Sequence, residues 1–468
     1  MNPYFFYPLL LSIVCSLFSQ KEDTNNPNII LLMADDQGWG DVGYNGNNVI
    51  QTPNLDQMSK DGITFSRFYA AAPVCSPTRG SCLTGRHPFR YGIYFANTGK
   101  MRKEEITLAE ALKSVGYRTG HFGKWHLGTL TNDEIDSNRG GQKENDYSPP
   151  WENGFDECFS TEAKVPTWNP MITPEKEAEG VGNKTPGELY GTHYWTGAGE
   201  KVSENLEGDD ARVIMDRVIP FIKNCNRKEQ PFLSVVWFHT PHSPVVAGEK
   251  YKQIYADQDN DTQHFYGTIS ALDEQVGRLR ATLEDLGIAE NTVIFYTSDN
   301  GPEGNASRPG RYKGSAGGLK GRKRSLHEGG IRVPGIMVWP EKINGGTKSN
   351  IPVSTSDYYP TVLDMLDLKI PNQPKLDGMS ILPIISGKIK ERPKPIGFQS
   401  KDQLAFIGHN YKIYSGDKGN TFQLYNLHKD PKEELDLSAT FPDLKNKMVN
   451  QLNEWVKSCQ KSDLGEDY

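Results

Sequence analysis

Residues 28–40 read NIILLMADDQGWG, a continuous apolar run followed at once by two aspartates and a glycine-rich turn. An unbroken apolar run of strand length is typical of a strand covered on both faces, as in a parallel sheet. Three further runs share this character: 231–238, 292–297 and 333–339. Between the runs, three stretches carry apolar residues at helical spacing: 106–115, 209–224 and 265–286. We therefore predict an α/β fold, with a large and mostly parallel sheet between layers of helices.

Polar clusters follow three of these runs directly. The first run is followed by Asp35 and Asp36, the second by HTPH at 239–242 and the third by SDNG at 298–301. In open α/β sheets, ligands bind in the crevice at the carboxyl ends of the strands. The sequence therefore predicts a functional site at that edge of the sheet.

The overall charge argues against a nucleic-acid partner and sets a condition on binding an anionic substrate. The chain has 468 residues, 52 Lys and Arg, 59 Asp and Glu, and a formal net charge of −7. It lacks the basic footprint that nucleic-acid binding requires. An acidic protein that handles an anionic substrate must gather its positive charge locally, so we look for such a cluster beside the predicted site.

Residues 1–20 are predicted to be a signal peptide. Residues 4–18 are apolar or small, and polarity begins at Gln20. A run of this length is short for a membrane span and fits a signal-peptide core. We expect a secreted or periplasmic protein with no transmembrane helix, with lipid anchoring at Cys15 as the alternative.

The remainder of the chain divides into two parts by composition. Alternating strands and helices predict a main α/β domain at 27–370, whereas short alternating strands and a final helix predict a smaller α+β subdomain at 371–468. Residues 130–200 are rich in Gly, Pro, Asn and Trp and are interpreted as a long excursion over the strand ends.

The segment at residues 75–86 reads CSPTRGSCLTGR. Pro77 suits the first turn of a helix, so Cys75 would lie beside free backbone N–H groups, which form a natural anion site. Arg79, one turn further on, can point back toward the same place. The alternative is a buried cysteine at the start of an ordinary helix.

This segment resembles the signature of the type I sulfatases of the alkaline phosphatase superfamily, in which the cysteine is converted to formylglycine. The resemblance spans roughly residues 27–435, with its motifs in the family's order. It implies a divalent cation beside residue 75, Ca²⁺ rather than Mg²⁺, bound by the formylglycine and by four side chains: Asp35, Asp36, Asp299 and Asn300. Oxygen ligands of this kind suit a hard cation.

The resemblance also implies the rest of the catalytic set. The segment GKWHLG at 123–128 supplies Lys124 and His126, and HTPHSP at 239–244 supplies His242, with His239 in a supporting role. Lys323 precedes an E-G-G segment by the family's spacing, and Lys320 is the rival candidate; a solvated basic loop is the alternative for this stretch.

The mechanism that the resemblance implies uses both hydroxyls of a hydrated formylglycine. One attacks sulfur while Arg79, Lys124 and Lys323 hold the sulfate oxygens and His242 protonates the leaving alcohol. His126 then helps to deprotonate the second hydroxyl, so that sulfate leaves and the aldehyde returns. Such an enzyme needs a formylglycine-generating or anaerobic sulfatase-maturating enzyme as a partner during its biosynthesis.

The expected substrate is a sulfated oligo- or polysaccharide, with marine algal polysaccharides such as ulvan or carrageenan as examples. Aromatic rings among polar residues can stack on sugars, and further cations can bind sulfate. Five side chains are predicted to contact the substrate: Trp168, His193, Arg308, Arg311 and Lys320.

Several alternatives remain open. The chain could act on small aryl sulfates, or bind sulfated glycans without turnover if Cys75 stays a thiol. A phosphatase or phosphodiesterase of the same superfamily would be expected to carry Ser or Thr as its nucleophile and a zinc site. The four remaining cysteines allow three pairings or free buried thiols: Cys82, Cys158, Cys225 and Cys459.

Overall fold

The computed structural model of the chain describes residues 26–137, 139–140, 146–305, 307 and 309–468. The predicted signal peptide at 1–20, including Cys15, lies outside the described residues, as does Arg308. Within the described part, no helix combines the length and the hydropathy that crossing a bilayer demands.

The strands follow one another in chain order as β1 (Asn28–Ala34), β2 (Ile63–Phe65), β3 (Phe68–Tyr69), β4 (Arg118–Lys124), β5 (Ile135–Asp136), β6 (Arg139–Gly140), β7 (Glu157–Thr161), β8 (Trp195–Gly197), β9 (Glu200–Lys201), β10 (Phe232–Trp237), β11 (Thr292–Ser298), β12 (Arg332–Val333), β13 (Gly335–Val338), β14 (Thr347–Ser349), β15 (Val353–Ser354), β16 (Ile396–Ser400), β17 (Gln403–Ile407), β18 (Tyr411–Ser415) and β19 (Gln423–Asn426).

The α-helices are α1 (Pro53–Asp61), α2 (Cys75–Thr84), α3 (Leu108–Lys113), α4 (Asp210–Arg227), α5 (Glu249–Lys252), α6 (Asn260–Asp285), α7 (Glu328–Ile331), α8 (Tyr358–Met365), α9 (Leu382–Ile385) and α10 (Pro442–Asp463). Short 3₁₀ turns occur at Gly43–Asn45, Pro88–Arg90, Pro150–Glu152, Lys176–Ala178, Gln253–Tyr255 and Thr355–Asp357.

Side-chain caps set the starts of the three helices expected from periodicity. Thr107 and Glu110 form a reciprocal capping box at α3, and the Asp209 carboxylate accepts the Arg212 N–H at α4. At α6 the Asp259 carboxylate accepts the Thr262 N–H, so this helix begins before the predicted residue 265. Capping by Asp, Ser or Thr satisfies N–H groups that the helix leaves without a partner.

The main sheet has the order β14-β2-β13-β11-β1-β10-β4-β7-β8-β9. Its centre, from β11 to β7, is parallel, with Leu31 paired to Val235 on one side and Phe295 on the other. The predicted α/β fold is confirmed, but the flanking strands make the sheet mixed, since β13 runs antiparallel to β11. Between β11 and β13, the described residues 299–305, 307 and 309–334 form only the four-residue helix α7 and the two-residue strand β12. No long crossover helix among them carries the chain to the opposite edge before β13 begins.

Both faces of β1 are covered. Its seven residues are all buried, with Ile30 and Leu32 packed toward α4 and α6 and with Leu31 and Met33 packed toward α3 and α8. This explains why the run is apolar without alternation. Truncating Leu31 to Ala would cost about 2–5 kcal/mol of stability, as is usual for a closed core position.

The C-terminal part forms its own antiparallel sheet, β16-β17-β18-β19, with α10 packed against it. A separate C-terminal subdomain is therefore confirmed. Its boundary at residue 370 stays a prediction, and Ile381 and Ile384 pack in the core of the main sheet. The cysteines of the described residues are buried free thiols: Cys75, Cys82, Cys158, Cys225 and Cys459.

Candidate active site

The carboxyl edge of the parallel strands gathers the predicted polar clusters. Asp35 and Asp36 follow β1, Lys124 is the last residue of β4, and Asp299 follows β11. Asp36 has a positive φ of 69°, and its backbone N–H donates to Asp299 Oδ1 at 3.1 Å. Gly123 has a φ of 98°, and a Cβ at this position would lie 1.9 Å from the Trp237 carbonyl oxygen. Glycine is therefore required at the end of β4, directly before Lys124.

Helix α2 brings Cys75 and Arg79 to this edge. Cys75 is the first residue of the helix, and its Sγ lies 3.5 Å from Asp35 Oδ1. One turn later, Arg79 Nη2 donates to Asp299 Oδ2 at 2.6 Å and lies 3.6 Å from Asp35 Oδ2. All three of these charged side chains are fully buried. The guanidinium therefore lies beneath the thiol and links two carboxylates.

Two lysines complete the cluster of positive charge. Lys124 Nζ donates to Asp35 Oδ2 at 2.6 Å. Lys323 Nζ donates to both carboxylate oxygens of Asp36, at 2.6 and 2.8 Å. An acidic protein thus concentrates cations around Cys75, as an anionic substrate requires.

The expected metal ligands also meet at this place. Ligand atoms of Asp35, Asp36, Cys75 and His242 lie within 4.8 Å of one another. Asn300 Nδ2 donates to Asp36 Oδ1 at 2.7 Å, while Asn300 Oδ1 is buried without a hydrogen-bond partner among the described residues. A buried carbonyl oxygen left without a partner is costly, and a cation would satisfy it. The donor set of carboxylate and amide oxygens fits Ca²⁺.

The pKa values of the two carboxylates that Arg79 links, Asp35 and Asp299, are shifted in opposite directions. Burial alone would raise the pKa of Asp35, but Lys124, His242 and Arg79 hold it well below its usual range. Burial and the neighbouring charge of Asp35 raise the pKa of Asp299 to about 7. Burial likewise raises the pKa of the Cys75 thiol. The cluster therefore keeps one carboxylate firmly ionised and places a second one where a proton is held near neutral pH.

The histidines differ in their surroundings. His242 bonds through Nδ1 to the Ser243 carbonyl oxygen at 2.7 Å and directs Nε2 to 3.6 Å from Asp36 Oδ2. His126, with a φ of 60°, bonds through Nε2 to Asn97 Oδ1 at 2.5 Å. His239 is fully buried, and its Nδ1 lies 2.8 Å from Asp210 Oδ2. His242 and His126 thus face the site, whereas His239 supports the segment that carries His242.

A cavity of about 260 Å³ opens above this cluster. Five of the predicted catalytic side chains line it: Cys75, Lys124, His126, His242 and Lys323. Arg79 lies underneath and is not exposed. A larger groove of about 710 Å³ borders the start of β11 and contains none of these residues, so its size does not make it the site.

Comparison with known proteins agrees with this geometry. A family model described as Sulfatase matches residues 27–368. This chain belongs to the sulfatase family. A second model, N-sulphoglucosamine sulphohydrolase, C-terminal, matches residues 321–461 of the sulfatase. The resemblance inferred from the Cys75 segment is confirmed, and the protein is a sulfuric ester hydrolase.

Relatives and solved structures show how far the similarity extends. The sulfatase is 32% identical to N-acetylgalactosamine-6-sulfatase of Rattus norvegicus over 388 residues, covering 78% of this chain and 67% of that protein. It is 29% identical to steryl-sulfatase of Homo sapiens over 436 residues, covering 79% and 71% respectively. The crystal structure of Ps i-CgsB matches it with a TM-score of 0.78, at 28% identity and 92% coverage of both chains.

Those predicted substrate contacts that the structure describes are not brought to the cavity of the sulfatase. Trp168 packs against Ala178, Val181 and Val246, and His193 lies edge-on to Trp195 at 5.8 Å. None of the predicted contacts that the structure describes lines this cavity, and their role in binding stays a prediction.

Arg311 and Lys320, the arginine and lysine of that set that the structure describes, are engaged elsewhere. Arg311 is buried and donates to Glu175 Oε1 at 2.7 Å and to the Val245 carbonyl oxygen at 2.7 Å. Lys320 lies over the ring of Tyr425 at 5.5 Å. Lys323 rather than Lys320 therefore reaches the carboxylate cluster.

Other side chains line the cavity that the sequence did not single out. They are polar or charged residues carried on loops at the same edge: Asn97, Lys164, Ser243, Glu303, Tyr312 and Arg324. Glu303 is paired with Arg324 and Lys323, and these charges lower its pKa to about 2 although burial opposes them. Two of them have a signal in their position after a strand: Ser243 lies in the HTPHSP segment after β10, and Lys164 lies three residues beyond the end of β7.

Proposed function

We propose that this sulfatase hydrolyses a sulfate ester on a saccharide, with Cys75 in its formylglycine form and with a bound calcium ion. The calcium ligands would be the residue-75 side chain and the four side chains beside it: Asp35, Asp36, Asp299 and Asn300. The single observation that supports this most strongly is one buried cluster. Asp35, Asp36 and Cys75 place ligand atoms within 4.8 Å of one another, Asp299 and Asn300 are hydrogen-bonded to Asp36, and Asn300 Oδ1 has no other partner among the described residues.

Calcium and formylglycine would each supply one kind of chemistry. Bound calcium would act as a Lewis acid toward a sulfate oxygen and compensate the charge of the carboxylates. Hydrated formylglycine would supply an oxygen nucleophile that a thiol does not offer. Lys124 and Lys323 pair with the carboxylates of Asp35 and Asp36, which holds both lysines near the place that a sulfate would occupy.

The protein's own side chains would position the ester and stabilise its charge. Lys124 and Lys323 lie at the cavity wall with N–H donors beyond those used for Asp35 and Asp36 and can bind sulfate oxygens. Arg79, directly beneath residue 75, holds the Asp299 carboxylate in place. These contacts are made in advance and need no rearrangement during the reaction.

The two histidines would handle protons. His242 donates its Nδ1–H to the Ser243 carbonyl oxygen, and its Nε2 is directed at the cavity. In the doubly protonated form of the ring, Nε2–H can protonate the departing alcohol oxygen. His126 lines the same cavity and would accept a proton from residue 75. These assignments follow the predicted roles and remain part of the proposal.

A saccharide is favoured over a small aryl ester by the known relatives. Ps i-CgsB, at 28% identity, has a second structure in complex with k-i-k-neocarrahexaose, and N-acetylgalactosamine-6-sulfatase is a relative at 32% identity. We also propose export to the periplasm or the medium and modification by a formylglycine-generating or anaerobic sulfatase-maturating enzyme.

The test combines mass analysis with a substrate screen. The protein is produced with a formylglycine-generating enzyme, the peptide containing residue 75 is analysed for the aldehyde, and sulfate release is measured on a panel of defined sulfated oligosaccharides and on an aryl sulfate. We expect sulfate release from a saccharide, at a rate that follows the aldehyde fraction across preparations.

Cys75→Ser, produced where serine is not oxidised, is the matched variant. It should still bind the substrate but lose turnover by at least about 10³-fold. Aldehyde-containing protein that releases no sulfate from any saccharide, or a fully active Cys75→Ser protein with serine confirmed by mass, would overturn the proposal.

A further inference from the structure

A second cavity adjoins the active-site cavity. It has a volume of about 450 Å³ and shares Lys164 and Gly180 with the first. Gly180 has a φ of 62°, and a Cβ at this position would lie 3.0 Å from Lys164 Nζ and 2.8 Å from Ser243 Oγ. The absence of a side chain at Gly180 therefore lets Lys164 and Ser243 approach the backbone at the junction, where the two cavities share a wall.

The second cavity carries two lysines and no carboxylate in its wall. Its described lining comprises Lys164, Lys184 and six uncharged residues: Ser137, Gly180, Val181, Gly182, Asn183 and Tyr190. Lys164 Nζ donates to the Gly180 carbonyl oxygen at 2.9 Å. Lys184 Nζ donates to the Tyr190 carbonyl oxygen and lies 4.7 Å from the centre of that ring.

No carboxylate in the part of the chain that the structure describes neutralises either ammonium. Among the described residues, Lys164 and Lys184 have no carboxylate partner within ion-pair distance, unlike Lys124 and Lys323 in the first cavity. An ammonium has three N–H donors, so each of these lysines keeps donors for a ligand. Partial burial and the charges of Lys124, Lys323 and Lys184 lower the pKa of Lys164, as expected where like charges face one another without an anion.

A third polar group points to a ligand. Tyr190 is 2% exposed and lines the second cavity, and its hydroxyl is buried with no hydrogen-bond partner among the described residues. Buried hydroxyls are normally hydrogen-bonded, because leaving one without a partner costs about 1–3 kcal/mol. A ligand anion in this cavity would compensate both lysines next to this unsatisfied hydroxyl.

We propose that the second cavity binds a second anionic group of the substrate, a sulfate or a carboxylate on the sugar unit beside the one that loses its sulfate. The inference rests on the proposed function and specifies it: the substrate is a saccharide of at least two units with two anionic groups. Charge, rather than stacking on Trp168 or His193, would then select the neighbouring unit.

Binding of disulfonates tests the pairing of two anion sites without any turnover. Isothermal titration calorimetry on the calcium-loaded protein compares α,ω-alkanedisulfonates of graded length with the alkanesulfonates of the same length. We expect one length to bind roughly tenfold more tightly than its monosulfonate, since a hydrogen-bonded charged contact contributes about that much. Two equivalent ends give a disulfonate a statistical advantage of about twofold. If no disulfonate of any length binds more tightly than that relative to its monosulfonate, the proposal is overturned.

Lys184→Met tests the residue assignment. It should abolish the tenfold advantage of the disulfonate, whereas Lys176→Met, an exposed lysine on the same excursion that lines neither cavity, should preserve it. An advantage that survives Lys184→Met, or that disappears in Lys176→Met, would contradict the assignment. Far-UV circular dichroism confirms that both variants are folded.

Turnover of defined disaccharides distinguishes whether the second anionic group is a sulfate or a carboxylate. For each disaccharide that releases sulfate in the screen, kcat/KM is measured on three forms, in which the neighbouring sugar is neutral, sulfated or a uronic acid. A kcat/KM at least about tenfold higher for one charged form, and lost in Lys184→Met, supports the proposal and identifies the group. Equal values for all three refute it while leaving sulfatase activity intact, whereas no release from any saccharide refutes the proposed function instead.

Discussion

A buried lysine holds the C-terminal sheet against the segment that carries Lys323. Lys412 Nζ, on β18, lies 3.1 Å from Glu328 Oε1 and 3.0 Å from Glu433 Oε1, and all three side chains are fully buried. Glu328 begins α7, five residues after Lys323, and its backbone N–H donates to Glu433 Oε2 at 2.7 Å. Lys412→Met should therefore leave two buried carboxylates without their cation.

The size of the effect follows from the acidity of Glu433. Burial would raise its pKa, but Lys412 and His327 lower it from the ordinary 4.5 to about 2. A shift of that size corresponds to about 3 kcal/mol, which agrees with the roughly 3–5 kcal/mol lost when one partner of a buried pair is removed. Since the folded-state pKa is depressed, this contribution is present above about pH 4.5 and is lost as the pH falls toward 2.

The assay is urea denaturation followed by far-UV circular dichroism at several pH values. At about pH 7 we expect Lys412→Met to lose about 3 kcal/mol of unfolding free energy, and the difference from the wild type should narrow below about pH 4.5. Lys418→Met is the control, because Lys418 and Asp402 are mostly exposed and 3.5 Å apart, so its loss should stay below about 1 kcal/mol.

Two outcomes would refute this reasoning. The first is a Lys412→Met protein within about 1 kcal/mol of the wild type at neutral pH, and the second is a difference that does not depend on pH. If Lys412→Met alone fails to fold, the combination with Glu433→Gln should recover folded protein, because one of the uncompensated charges is then removed.

Three further predictions concern the site. Asn300→Ala should weaken calcium binding by at least about tenfold in titration calorimetry, and an unchanged affinity would remove Asn300 from the ligand set. Removing calcium with a chelator should lower the melting temperature, because an ion at about 100 times its Kd stabilises the folded state by about 2.7 kcal/mol; a scan unaffected by calcium would contradict the site. His242→Gln should slow esters of alkyl alcohols by about 10²-fold or more and aryl esters much less, since a good leaving group needs little protonation; an equal loss for both would argue against a proton donor.

The parts of the fold that the sequence predicted are those set by local pattern. The apolar run at 28–34 and the aspartates after it indicate a buried strand with a polar carboxyl end, and the structure has both. The spacing of Cys75 and Arg79 indicates one helical turn, which α2 provides. The direction of β13 depends on how residues 299–334 return to the sheet, and no short-range pattern encodes that path.

The substrate contacts were harder to predict for a related reason. The aromatic ring of Trp168 and the charge of Arg311 indicate substrate contacts, but the residues that pack against Trp168 or pair with Arg311 lie in distant segments. Lys164 and Lys184 line one cavity because the long, mostly irregular connection between β7 and β8 folds back on itself, and such a connection has no periodicity from which its path could be predicted. Local chemistry was therefore predictable, whereas the convergence of loops was not.

The burial of α2 has a consequence for how the enzyme would be made. All ten of its residues are buried, and Cys75 is 2% exposed beneath a narrow cavity. Another protein could not reach this thiol without opening the core, so an enzyme that oxidises Cys75 has to meet the chain before folding is complete. The order of events during synthesis, oxidation first and closure second, would then decide how much of the protein becomes active.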